Sequence, residues 1–120
     1  MKPRNLFPAV FPVVFCLLLL QGCDSTQVDF LRWLERTKTG VSEKSIQVGD
    51  HKIAYLEGGK GEAVVLLHGF ADTKDSWVKF ARPLTKNYRV IIPDLPGFGA
   101  SSKIPAASYD TKSQITRLQG

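Results

Sequence analysis

The sequence predicts an α/β fold in which helices cover a mostly parallel sheet. A continuous apolar run at residues 63–67 has the length and composition of a strand that is buried on both faces, and residues 88–92, apolar except for Arg89, predict the next buried strand. Between them, at residues 77–84, apolar side chains recur at helical spacing. A strand, a helix and a strand in this order favour parallel pairing of the two strands.

A hairpin is predicted to precede these strands. Residues 45–48 and 52–57 are the two strand candidates, and Gly49 and Asp50 have the composition of the turn between them. The sheet should therefore begin with an antiparallel pair. His51 lies beside this turn, where we expect its side chain to be solvated.

Two helices are predicted alongside the sheet. Asp75 or Ser76 can cap the first, which should reach about Leu84. The second should start at residues 109–111, with Ile115 and Leu118 on one side.

Residues 25–39 are predicted to form a short linker that runs into a helix, with Gly40 as the stop of that helix. Its apolar residues recur at helical spacing, and Trp33 lies among them. Two interpretations remain open: the helix lies on a membrane surface, or it packs on its own domain.

The composition excludes several functional classes. The 120 residues carry a formal net charge of +5, and the basic residues are scattered without interleaved aromatics, so we predict no nucleic-acid partner. The two cysteines, Cys16 and Cys23, are too few for a metal site. We predict neither a metal nor a cofactor.

The first 22 residues have the organisation of an export signal. Lys2 and Arg4 precede an uncharged apolar run at residues 6–20, which is short for a membrane-spanning helix. The following residues, Leu20-Gln21-Gly22-Cys23, resemble the lipobox of bacterial lipoproteins. This resemblance implies cleavage before Cys23 and its acylation. The alternatives are an ordinary cleaved signal and an uncleaved anchor.

The predicted domain organisation follows from this signal. Residues 1–22 form the lipoprotein signal peptide, residues 23–44 an anchor linker with the amphipathic helix, and residues 45–120 the α/β domain. Acyl chains on one residue hold a protein firmly at a bilayer. Asp24 resembles the signal that retains lipoproteins at the inner membrane of enteric-type bacteria. We therefore expect a lipid-anchored protein on the extracytoplasmic face of a bacterial membrane.

Two motifs carry a family resemblance. His68-Gly69-Phe70 follows the first buried strand, and the run DLPGFGAS at residues 94–101 follows the second. In this order and at this spacing, the pair resembles the α/β-hydrolase superfamily, and residues 57–102 are similar to bacterial lipases and monoacylglycerol-lipase-like esterases. The resemblance implies the N-terminal part of an α/β-hydrolase fold, in which an antiparallel hairpin leads into the mostly parallel sheet.

The resemblance also implies roles for the first motif. In this fold, a backbone N–H from the loop after the third strand donates to the oxyanion formed during ester hydrolysis. Phe70 would supply that N–H, and its ring would line the acyl pocket. Gly69 would let the backbone turn without a Cβ. His68 would orient the loop, because the catalytic histidine of the family lies far downstream.

The second motif is expected to be structural. The catalytic acid of the family follows the nucleophile along the chain, so Asp94 should instead brace its own glycine loop through local hydrogen bonds. Gly97 and Gly99 begin a dinucleotide-binding fingerprint, but Ser102 stands where its third glycine would be. A dinucleotide site is therefore not predicted.

The nucleophile motif Gly-x-Ser-x-Gly does not occur in the sequence. We therefore expect the fragment to end before the nucleophile strand and to be inactive alone. The function predicted by resemblance is that of a serine ester hydrolase acting on acylglycerols or other apolar carboxylic esters. The alternatives are the aspartate-nucleophile chemistry of epoxide hydrolases and dehalogenases, or a non-catalytic truncated lipoprotein.

Overall fold

The computed structural model describes residues 24–119. The predicted export signal and Cys23 lie outside these residues. The chain divides into two units, with the boundary between Leu31 and Arg32. The sheet and all the contacts discussed below belong to the second unit.

The first helix, α1, spans Asp24–Thr39, as the apolar spacing predicts. It ends at Gly40, whose φ of 73° lies in the left-handed region that favours glycine after a helix. The Gly40 N–H donates to the carbonyl of Thr37 at 3.1 Å and completes this stop. Of the helices within residues 24–119, none combines the length and the apolar character needed to span a bilayer.

The sheet contains four strands in the order β1-β2-β4-β3. They span Val41–Val48 (β1), His51–Gly58 (β2), Ala63–Val65 (β3) and Arg89–Pro93 (β4). β1 pairs with β2 in the predicted antiparallel hairpin, and Val48 lies opposite His51 across the turn. β2 also pairs with β4 in antiparallel orientation, whereas β3 and β4 pair in parallel. The predicted α/β architecture is confirmed, although β1 begins four residues earlier than expected.

The connection from β3 to β4 is helical, as predicted, but it begins differently. A 3-10 turn spans Lys74–Trp77, and the α-helix proper, α2, spans Val78–Leu84. Neither Asp75 nor Ser76 caps this segment, so that prediction was wrong. The Asp75 carboxylate instead accepts two hydrogen bonds from Arg36 of α1, at 2.7 and 2.8 Å.

The last helix, α3, spans Thr111–Gln119 and is capped at its start. Asp110 accepts the backbone N–H of Ser113 at 2.8 Å, which satisfies a donor of the first turn. Of its side chains, Gln114 is buried and Ile115 is half exposed. The helix is therefore predicted correctly, whereas the face that it buries is not.

One face of the sheet packs against α2 and forms the core. The buried residues of this cluster are Val41, Leu56, Val78, Ala81, Val90 and Ile92. They come from β1, β2, α2 and β4, so the hairpin and the parallel strand share one apolar layer. Phe80, which the helical pattern assigns to the buried face of α2, is 57% exposed.

β3 lies at the edge of the sheet rather than in its interior. Val65 and the following Leu67 are 53% and 44% exposed, which contradicts the expectation of a strand buried on both faces. The reason is positional, because β3 pairs with β4 on one side only within the described residues. An apolar strand with an open edge is a template for pairing with another chain.

We therefore expect residues 24–120, expressed alone, to be insoluble or molten. The open edge of β3 and the exposed Val65 and Leu67 supply both backbone and apolar contacts for self-association. Size-exclusion chromatography and calorimetry of the purified fragment test this. A soluble monomer with one sharp cooperative melting transition would contradict the expectation.

Candidate functional site

A tight turn follows β3 at the predicted oxyanion loop. The Asp72 N–H donates to the carbonyl of Gly69 at 3.4 Å, so Phe70 and Ala71 occupy the two central positions of the turn. Ala71 has a φ of 59°, a left-handed conformation that alanine seldom adopts, as at the third position of a type II turn. Ala71, and not Gly69, therefore adopts the backbone conformation that favours glycine. An added Cβ at Gly69 would meet no atom within 4 Å.

The backbone N–H of Phe70 points out of this turn without a partner. No residue in the range 24–119 accepts a hydrogen bond from it. A backbone donor that is neither buried nor bonded is available to an external acceptor. This is the property that an oxyanion donor requires.

The Phe70 ring lies on the wall of an apolar pocket. It packs edge-to-face on Phe98 with 5.7 Å between ring centroids and is otherwise 92% exposed. We call this cavity of about 360 Å³ the Phe70 pocket; its lining residues are Phe70, Gly97, Phe98, Lys103, Ile104, Pro105 and Tyr109. The turn after β3 and the glycine loop after β4 therefore form one cavity.

His68 connects the same two segments. Its Nε2 accepts the backbone N–H of Leu95 at 3.0 Å, and its Nδ1 lies 2.8 Å from the carbonyl of Gly69. Because a carbonyl can only accept, Nδ1 must carry the proton and the ring is in one defined tautomer. Both nitrogens are thus occupied in holding the loops together, and the lone pair of Nε2, which already accepts the Leu95 N–H, is not free to act as a base.

Asp94 lies at the centre of the glycine loop and is fully buried. Its carboxylate accepts hydrogen bonds from the Lys74 N–H at 2.7 Å, the Lys74 ammonium at 2.6 Å and the Ala100 N–H at 2.8 Å. Burial alone would raise the pKa of Asp94, but the hydrogen bonds from Lys74 and Ala100 outweigh it and lower that pKa. Asp94 is therefore held as a carboxylate.

Lys74 is the residue of this site that sequence reasoning missed. It follows the turn at residues 69–72 in a polar stretch, where a lysine is normally solvated, yet it is only 3% exposed. Its ammonium also lies 3.5 Å from Glu43, which in turn pairs with Arg36. The pairing partner 20 residues away carries no local signal that a single sequence would reveal.

Two glycines permit this packing. A Cβ at Gly99 would lie 2.2 Å from the Asp94 carboxyl carbon, and the φ of Gly99 is 50°. At Gly97, with a φ of 90°, a Cβ would lie 2.9 Å from the Tyr109 ring. The glycine loop therefore wraps closely around Asp94 on one side and contacts Tyr109 on the other.

Ser101 and Ser102 fasten the loop to β2. The Ser101 hydroxyl donates to the Asp94 carbonyl at 2.6 Å and accepts the Ala54 N–H at 2.9 Å. The Ser102 hydroxyl accepts the Lys52 N–H, also at 2.9 Å. Both side chains are thus committed to backbone partners, which a nucleophilic hydroxyl would not be.

His51 differs from the expectation for a hairpin turn. Its side chain is fully buried rather than solvated, because the ring packs edge-to-face against Tyr109 at 6.0 Å. Nδ1 lies 2.6 Å from the Asp50 carboxylate. Tyr109 thus contacts both His51 and Gly97, which joins the hairpin turn to the glycine loop.

The arrangement leaves the Phe70 N–H without a partner among residues 24–119, beside an apolar pocket. Neither His68, Asp94 nor Ser101 has a free atom directed at the Phe70 N–H, so these three form the support of the site. Within the described part of the chain, no group of histidine, cysteine and acidic side chains could hold a metal ion.

The buried ion pair generates a stability prediction. Lys74→Met or Asp94→Asn should each cost about 3–5 kcal/mol, because the remaining charged or polar partner stays buried without its counterpart. The double variant should cost less than the sum. Chemical denaturation of the protein expressed from its complete gene measures this, with the exposed Lys79→Met as control. Additive losses would show that the two side chains act independently.

The lowered pKa of Asp94 adds a pH dependence with a defined sign. Its stabilisation should be fully present above the unfolded-state pKa of about 4 and be lost as pH falls through the lower folded-state pKa. This acid-side loss should be absent from Asp94→Asn. An unchanged acid profile in that variant would remove Asp94 as its source.

Comparisons with known proteins agree with this geometry. The family profile described as the alpha/beta hydrolase fold matches residues 62–118. Lipase 1 of Psychrobacter immobilis is 46% identical over 88 residues, which cover 70% of this chain and 27% of that protein. A fluoroacetate dehalogenase from a Burkholderia species is 41% identical over 64 residues, or 53% of this chain and 21% of that protein.

A solved structure extends the similarity to nearly the whole chain. The crystal structure of a membrane phospholipase A, described as a bacterial virulence factor, superimposes with a TM-score of 0.80 and 44% identity. The match covers 92% of this chain and 36% of the phospholipase chain. The chain therefore spans about a quarter to a third of the length of these lipolytic relatives. It belongs to the α/β-hydrolase superfamily and is related to the bacterial lipases.

Proposed function

We propose that these residues are part of a membrane-anchored serine ester hydrolase that acts on acylglycerols or other apolar carboxylic esters. The observation that carries the proposal is the unpartnered Phe70 N–H, presented by a tight turn at the wall of an apolar pocket. The related lipase and the membrane phospholipase A support it, because both are named for hydrolysis of lipid esters.

The chemistry assigns one step to this turn. Attack on an ester carbonyl places negative charge on the carbonyl oxygen, and a fixed backbone donor stabilises that charge more than it stabilises the neutral ester. Phe70 donates this hydrogen bond, while its ring and that of Phe98 shield the acyl chain from water. His68 and the Lys74–Asp94 pair keep the two loops at a fixed separation.

The remaining catalytic residues, in this proposal, lie outside the 120 residues. The family places its serine on a strained turn after a buried strand, followed by an acidic residue and a histidine. One or two further turns of the last helix, a loop of about 2–6 residues and a strand of about 5–6 give an expected position roughly 15–20 residues after Gly120.

One alternative chemistry has specific support. A fluoroacetate dehalogenase is 41% identical over 64 residues, so similarity to known proteins does not by itself distinguish ester hydrolysis from carbon–halogen hydrolysis. The nucleophile does distinguish them. A fluorophosphonate probe labels an activated serine and leaves an aspartate nucleophile unlabelled.

The bilayer is the second partner in the proposal. Acylation of Cys23 would tether the enzyme beside apolar ester substrates, and Asp24 favours retention at the inner membrane. The resemblance of residues 20–23 to a lipobox supports this anchor. The similarity to a membrane phospholipase A supports it as well. The anchor also provides a reason for the export signal in residues 1–22.

Phe70 offers a direct test of the oxyanion donor. Proline is favoured at the second position of this turn type, so Phe70→Pro should keep the turn while removing the N–H. We expect kcat to fall about 100- to 1000-fold in the protein expressed from its complete gene. Phe70→Ala keeps the N–H and should mainly raise KM.

Short-chain nitrophenyl esters provide the assay, and Ser42→Ala on the exposed part of β1 is the control. Equal kcat values for Phe70→Pro and Phe70→Ala would show that the N–H is not the donor. Fluorophosphonate labelling of each variant reports whether the site still assembles.

The anchor is tested at Cys23. Cys23→Ala should move the protein from the membrane to the soluble extracytoplasmic fraction, because no acyl chain can then attach. Detergent phase partitioning measures the shift, with Cys16→Ala as the matched control. Full retention of the Cys23 variant in the detergent phase would identify a different tether.

A further inference from the structure

The Phe70 pocket is apolar except at one position. Its walls are formed by the rings of Phe70, Phe98 and Tyr109 together with Ile104 and Pro105. The Tyr109 hydroxyl is not available to a ligand, because it accepts the Ile104 N–H at 2.6 Å and donates to the Ile104 carbonyl at 3.1 Å. Among the described residues, Lys103 is the only charged side chain that lines this pocket.

The ammonium of Lys103 is not neutralised by the protein. It donates one hydrogen bond, to the Gly99 carbonyl at 2.9 Å, and no carboxylate within residues 24–119 pairs with it. That single bond directs the side chain along the glycine loop and leaves further N–H donors for a ligand. Lys103 is exposed, and other lysines within residues 24–119, such as Lys79 and Lys86, also have no carboxylate partner, so what sets Lys103 apart is its position on the pocket wall.

An apolar cavity with one unpaired cation suits a particular class of molecule. The rings bind a hydrocarbon tail through burial of apolar surface, and the ammonium binds an anion through a charge-assisted hydrogen bond. A neutral acylglycerol would use the rings and leave the ammonium without a partner. An amphiphile with an anionic headgroup would use both.

We propose that Lys103 makes this site selective for lipid esters with an anionic headgroup, such as a phosphate. The inference rests on the proposed ester hydrolase function and specifies its substrate class. Lys103 is then a specificity-determining residue, since it acts on the headgroup and not on the reacting carbonyl.

The test compares a matched pair of substrates with the protein expressed from its complete gene. A monoacylglycerol and its 3-phosphate, with the same acyl chain, are presented in the same neutral detergent micelles. Lys103→Gln should lower the ratio of kcat/KM for the phosphate to kcat/KM for the neutral ester about ten-fold. Lys103→Arg should retain the preference, and Lys86→Gln, exposed and outside the pocket, is the control.

Binding separates this inference from the proposed function. The ether analogues of both lipids cannot be hydrolysed, so their dissociation constants report headgroup recognition alone. If no ester is hydrolysed but Lys103→Gln still weakens binding of the ether phosphate about ten-fold, the proposed function fails and the headgroup site stands.

Two outcomes would overturn the headgroup site. One is an unchanged ratio of phosphate to neutral lipid binding in Lys103→Gln. The other is competition by glycerol 3-phosphate as effective as that by the ether phosphate, which would identify a site for free phosphate that does not use the apolar wall.

Discussion

The buried ion pair between Lys74 and Asp94 is the constraint on which the site depends. Removing two charges from water is costly, and the pair is tolerated because Asp94 also receives two backbone hydrogen bonds. Lys74 follows the turn at residues 69–72, and Asp94 is the first residue of the glycine loop at residues 94–101. One contact of 2.6 Å therefore fixes the separation of the two segments that enclose the Phe70 pocket.

The other loop contacts reinforce this arrangement from different sides. His68 reaches from the turn to the backbone of Leu95, and Ser101 ties the glycine loop to β2. Left-handed Ala71 costs conformational energy that this surrounding network must offset. The result is a turn whose flanking loops are held in place while the Phe70 N–H has no partner within residues 24–119, as preorganised stabilisation of an oxyanion would require.

The sequence predicted the fold well where a pattern is local. Apolar runs identified β3 and β4, and Gly49 and Asp50 identified the hairpin turn. It failed where the environment is set by distant residues. The burial of Lys74 could not be predicted because its partner, Asp94, is distant in the sequence. His51 is buried because it packs against Tyr109, which lies 58 residues further along the chain.

The ion pairs form a series that is graded by depth. Arg36 of α1 forms ion pairs with Asp75, which is partly buried, and with Glu43, which is more exposed. Glu43 also pairs with Lys74, which is buried. Dissolved ions screen exposed charges strongly and buried ones weakly. Raising the ionic strength should consequently loosen the attachment of α1 to the 3-10 turn first and leave the glycine loop closed around Asp94. The salt concentration therefore acts on the attachment of this helix and on the glycine loop unequally.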